Sequence, residues 1–100
     1  MAAIRDADQV YVSAATAWEI AIKASLGRIE MDRRLKEVAI QSGFEELPIR
    51  ISHAEAVEIL PPHHRDPFDR MLVAQASAEG LVIVTRDPLI RRYDVEVIEA

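Results

Sequence analysis

Residues 66–87 read DPFDRMLVAQASAEGLVIVTRD, and this stretch decides the fold class. Asp66 is a good N-cap residue, and Pro67 suits the first helical position because the N–H it lacks has no partner there anyway. Asp69 then stands at N3, next to the positive end of the helix dipole. Met71, Leu72, Ala76 and Ala78 carry the helix to Gly80, which suits the left-handed position after a helix. The run over 81–85, LVIVT, predicts a strand buried on both faces, as in a parallel sheet covered by helices.

The flanking sequence extends this pattern. Residues 9–13, QVYVS, form a β-branched and aromatic run ending in Ser13, which can cap the helix that follows. Over 14–26, Ala14, Trp18, Ala21, Ile22 and Leu26 recur at helical spacing, so Trp18 is expected in the core, and Gly27 closes the helix. A second helix is expected over 32–42, with Leu35, Val38 and Ala39 inward and Arg33, Arg34 and Lys36 on a solvated face. Residues 47–51, interrupted by Pro48, suggest a short strand, and 52–60 a helix capped by Ser52 and closed by Pro61 and Pro62. Alternation over 94–98, DVEVI, predicts a last strand. Strands alternating with helices make an α/β domain with a mainly parallel sheet, and 100 residues make one domain, 1–100.

Half the residues are apolar and 29% are charged, the balance of an ordinary globule. Twelve Lys and Arg against 17 Asp and Glu leave a net charge of -5, so a generally basic nucleic-acid-coating surface is excluded. Without Cys there is no disulfide frame, thiolate zinc site or cysteine nucleophile. The longest aliphatic run, 81–84, is far short of the ~20 residues that span a bilayer. The N-terminal residues also lack the order of a signal peptide, so the expected location is cytoplasmic, with no membrane partner.

Ligands of open α/β sheets gather beyond the carboxyl ends of the strands. Three acids are delivered there: Glu19 in the second turn after strand 9–13, Asp69 in the first turn of its helix, and Asp87 just after strand 81–85. Carboxylates brought together repel unless a divalent cation lies between them, so a shared site implies metal-assisted phosphate chemistry. Each acid also has a structural reading: Glu19 pairs at i,i+4 with Lys23, and Asp66 and Asp87 precede proline as helix caps do. His63 and His64 read as exposed spacers in a Pro-bounded loop, and Arg65, Arg70 and Arg86 as groups that neutralise the acids or hold phosphate. His64, Arg65 and Asp66 spell a kinase-like HRD, but no glycine-rich phosphate loop accompanies it.

Three segments together, VSAATAWEIAIKASLGRI (12–29), LPPHHRDPFDRMLVAQA (60–76) and LVIVTRD (81–87), resemble PIN domains, specifically VapC-type toxin ribonucleases. The resemblance implies a PIN-like three-layer α/β domain that hydrolyses RNA with Mg²⁺ or Mn²⁺. It makes Glu19, Asp69 and Asp87 the metal-binding acids and Thr85 the hydroxyl that steadies them. It also implies a cognate antitoxin and a homodimer. Such proteins open with a strand carrying a further metal-binding Asp, then a helix, before the segment matching 2–13. That opening, roughly 25 to 30 residues, is absent here. Asp6 and Asp8 precede a strand instead of ending one, so neither replaces that Asp. The expectation is a chain lacking its central strand, with two sheet edges opened inside the domain, and the rival to a nuclease is a catalytically inactive antitoxin-binding or dimerisation module.

Overall fold

A three-residue strand holds the middle of the sheet. In the computed structural model, which describes residues 3–6, 8–27, 41, 43–85 and 87–99, β1 (Ala3–Arg5) pairs antiparallel with both β2 (Val10–Ser13) and β4 (Val82–Thr85). Ile4 lies opposite Tyr11 on one side and Ile83 on the other, and it is 1% exposed. The turn into β2 is closed by Asp6, whose Oδ1 accepts from the Asp8 and Gln9 N–H groups at 2.8 and 2.6 Å. The expected open edges inside the sheet are not found among the described residues, because β1 pairs with a strand on each side. Periodicity could not reveal β1, since three residues carry no alternation to read.

Beyond β2, β3 (Glu45–Leu47) adds in parallel, and beyond β4, β5 (Val97–Glu99) does the same, giving the order β3-β2-β1-β4-β5. Since β2 and β4 both oppose β1, four of the five strands run one way, as expected of the α/β class. Their carboxyl ends share an edge, where Ser13 leads into α1 (Ala14–Ser25) and Thr85 leads toward Asp87. The strand expected over 47–51 stops at Leu47 instead, because Pro48 has no N–H to continue the ladder. The helix expected over 32–42 lies outside the described residues except for position 41, and Arg86 also lies outside them.

Helix α3 (Pro67–Glu79) touches α1, α2 (Ile51–Glu58) and β4. Both its marked ends are as read: Asp66 caps it, and Gly80 closes it at φ 66°. Its Val73 and Ala76 join Ile83, Tyr93 and Ile90 of a 3₁₀ turn (Ile90–Arg92) in one cluster, while Leu72 joins Ile4 and Leu47 in another. Ser52 does not cap α2. The cap is Arg50, and the buried His53 at N3 reaches back to accept the Arg50 N–H at Nδ1, 3.0 Å away, as Glu does in a capping box. His53 Nε2 then donates to Glu79 Oε1 at 2.7 Å, clipping α2 to the end of α3.

Trp18 is not core; it is 61% exposed and meets Phe68 edge-on, with ring centroids 5.3 Å apart. The inward face of α1 centres on Ala15 and Thr16, small residues that let α1 approach α3. Glu19, four residues after Ala15 and three after Thr16, shares that face. Among the described residues no helix is long and apolar enough to cross a membrane.

Gln75, with no exposed surface, joins these parts. It bonds the Ser13 hydroxyl through Oε1 and the Pro48 carbonyl through Nε2, while Ser13 Oγ accepts the Ala15 N–H at 3.0 Å. Gln75→Leu removes the acceptor of the buried Ser13 O–H and the donor to the Pro48 carbonyl, and is expected to cost about 2 kcal/mol, or roughly 8 to 16 °C in Tm. Thermal melts check this; an unchanged Tm would contradict it.

Candidate metal centre

Asp66 organises the approach to the strand-end edge. Its Oδ1 accepts from the Phe68 and Asp69 N–H groups at 2.8 and 3.0 Å, which fixes the first turn of α3 and with it the Asp69 backbone. Two residues earlier, His64 Nδ1 accepts the Asp66 N–H at 3.0 Å, which sets the ring's orientation from the same turn. Its Nε2 lies 3.1 Å from Asp69 Oδ2 and 2.7 Å from Asp87 Oδ2.

Asp87 arrives from the other side of the edge. Thr85, nearly fully buried, accepts the Asp87 N–H on Oγ1 at 3.0 Å, so this hydroxyl steadies the acid's backbone. Asp87 Oδ1 accepts the Leu89 N–H at 2.9 Å in a local turn, not as the cap of a helix, because the 3₁₀ turn that follows begins after Leu89; Oδ2 faces the cluster. One donor atom from each of His64, Asp69 and Asp87 lies within 4.8 Å of the others. Glu19 is held by Lys23 at 3.4 Å, the expected i,i+4 pair, yet its charge is felt at Asp69.

The two aspartates differ in proton affinity. Burial pushes the Asp69 carboxyl above its ordinary value, and the charges of Asp66, Glu19 and Asp87 add to this against the opposing influence of His64. Burial also acts upward on Asp87, but the hydrogen bonds from the Leu89 N–H and His64 outweigh it, and its carboxyl lies below the ordinary value. The cluster thus pairs a firmly ionised acid with one that takes up a proton more readily.

The expectation that both loop histidines are exposed spacers fails. The His64 side chain is 12% exposed, hydrogen-bonded to Asp87 and 3.1 Å from Asp69, while His63 lies edge-on to the Tyr93 ring at 5.0 Å. The available signal was position: a His two residues before a capping Asp can bond that residue's N–H and so aim its ring over the first helical turn. Arg70 is engaged away from the acids. Its guanidinium donates to the carbonyls of Val57, Leu60 and Pro61 and to the Tyr93 hydroxyl, capping the end of α2. That hydroxyl also accepts the His64 N–H at 2.9 Å, so Arg70 and Tyr93 anchor the loop that carries the imidazole. Arg65 is exposed.

Two carboxylates converging from a helix start and a strand end are a hard oxygen donor set of the kind divalent cations take. The PIN domain family model matches residues 1–96. No curated protein and no solved structure gives a significant match to the chain.

Asp69 keeps its proton to higher pH when folded than when unfolded. The folded state therefore binds more protons across that window, and stability falls as pH rises through it. Above the window ionised Asp69 subtracts stability, so Asp69→Asn, which retains an oxygen for His64, is expected to raise the Tm of the metal-free protein at pH 7 by a few degrees. That gain should shrink as the pH drops into the carboxyl range. Melts in chelator at pH 7 and pH 4 check this, and a lower Tm for the variant at pH 7 would contradict it.

Proposed function

This chain belongs to the PIN domain family, whose members are generally metal-dependent nucleases, and from that premise we propose that it is an Mg²⁺- or Mn²⁺-dependent endoribonuclease of the VapC toxin type. The observation that carries the reading is the convergence of Asp69 and Asp87, from separate elements, around one imidazole nitrogen. Asp69 and Asp87 are the proposed metal-binding acids, with Glu19 as the third on the adjacent helix face. Thr85 is a positioning residue acting on Asp87 through its backbone. A divalent ion held by these acids would lower the pKa of a bound water and stabilise charge on the departing oxygen of a phosphodiester.

The chain's own contribution is placement. The cap at Asp66 fixes Asp69 at a helix N-terminus, where the dipole favours an anion, and the Leu89 N–H keeps Asp87 ionised. With a net charge of -5 and three acids near this edge, a phosphate group would be repelled there without a cation. The proposed partners are RNA as substrate, a second copy of the chain, and a cognate antitoxin that blocks the acidic edge in the cytoplasm. The last two rest on the resemblance in residues 12–29, 60–76 and 81–87.

Cleavage of a mixed RNA pool by the purified chain is expected to require Mn²⁺ or Mg²⁺. It should fall by at least about 10²-fold in Asp69→Asn, the scale of losing a group that acts in the transition state. Glu19→Gln should lower it less, since Glu19 stands outside the tight cluster. A folded, cation-binding chain that cuts no RNA would overturn the enzymatic reading and favour the binding module.

A further inference from the structure

His64 is placed among groups that could ligate a metal, but its hydrogen bonds specify a different job. An amide N–H can be accepted only by an unprotonated ring nitrogen, and Nδ1 accepts that of Asp66, so the ring proton sits on Nε2. That Nε2–H is hydrogen-bonded to Asp87 Oδ2 at 2.7 Å, and Asp69 Oδ2 lies 3.1 Å from the same nitrogen. A histidine that ligates through Nε2 instead needs a lone pair there, and donates its other N–H to an acceptor. Here the other nitrogen faces a donor.

We propose that His64 is a built-in stand-in for the cation: its Nε2–H holds the two carboxylates together in the metal-free protein and competes with a divalent ion for them, so that it sets cation affinity without ligating. This inference rests on the metal-dependent reading of the site. The direction of the effect follows from what holds each group. The Asp69 backbone is fixed by the Asp66 cap, and Asp87 by Thr85 Oγ1 and the Leu89 N–H, all independently of the imidazole. The ring itself is anchored from behind, through the His64 N–H on the Tyr93 hydroxyl. Removing the ring therefore leaves two placed carboxylates without their shared donor. Whatever stabilises the metal-free state alone weakens binding, and losing it tightens binding.

The test is calorimetric titration of the full chain with Mn²⁺, comparing wild type, His64→Ala and His64→Asn. The Asn side chain retains an oxygen for the Asp66 N–H, preserving the local turn, but is too short to place a donor between the carboxylates. Both variants are expected to bind Mn²⁺ about tenfold tighter, the scale of one hydrogen bond to a charged group. They should also melt at lower temperature in chelator and gain more in Tm from Mn²⁺. If wild type binds and the variants bind equally or more weakly, His64 is a ligand or a bystander and the proposal falls while the metal-dependent reading stands. If wild type binds no Mn²⁺, that reading falls and the inference with it.

Discussion

The turn at Asp66 is the constraint on which the site depends. One residue accepts two N–H groups on its carboxylate, starting α3 and placing Asp69, while its own N–H is accepted by His64 and orients the imidazole. A helix cap is ordinarily worth on the order of 1 kcal/mol and concerns only the helix it begins. Here the same turn also sets where a carboxylate and the donor that faces it meet. Because the loop is held by Tyr93 and Arg70, and α3 by Gln75, this turn is continuous with the buried part of the molecule.

The sheet gives that turn its counterpart. With β1 running against both neighbours, β2 and β4 present their carboxyl ends at one edge, and Asp87 follows the end of β4. The site then carries an electrostatic strain that the core must support: Asp69 is partly desolvated and surrounded by like charge. Such an arrangement lowers the stability of the metal-free chain and raises its attraction for a divalent cation, so the same residues that disfavour folding favour the ligand. His64 offsets part of the strain without neutralising either acid.

Much of this was legible in the sequence, because the signals were local and strong. The Asp66–Pro67 start, the Gly80 stop and the apolar run before Thr85 each depend on neighbouring residues alone, and all three are where they were expected. What escaped reading was set by tertiary contact. Ile4 is buried only because two strands close around it, and Trp18 is exposed because the small residues Ala15 and Thr16 decide how α1 approaches α3. His64 looked like a spacer because its partners are five and 23 residues away, and no periodicity reports such a meeting. His53 took the capping role expected of Ser52 for a related reason, its ring being held by Glu79 on another helix.

The placement of the cation relative to the imidazole is best decided by anomalous diffraction from crystals of the full chain soaked in Mn²⁺. The account predicts an anomalous peak bonded to the carboxylates of Asp69 and Asp87, with the His64 ring displaced from between them and not bonded to the ion. A peak bonded to His64 Nε2, or Mn²⁺ bound elsewhere while the imidazole still bridges the two acids, would contradict it.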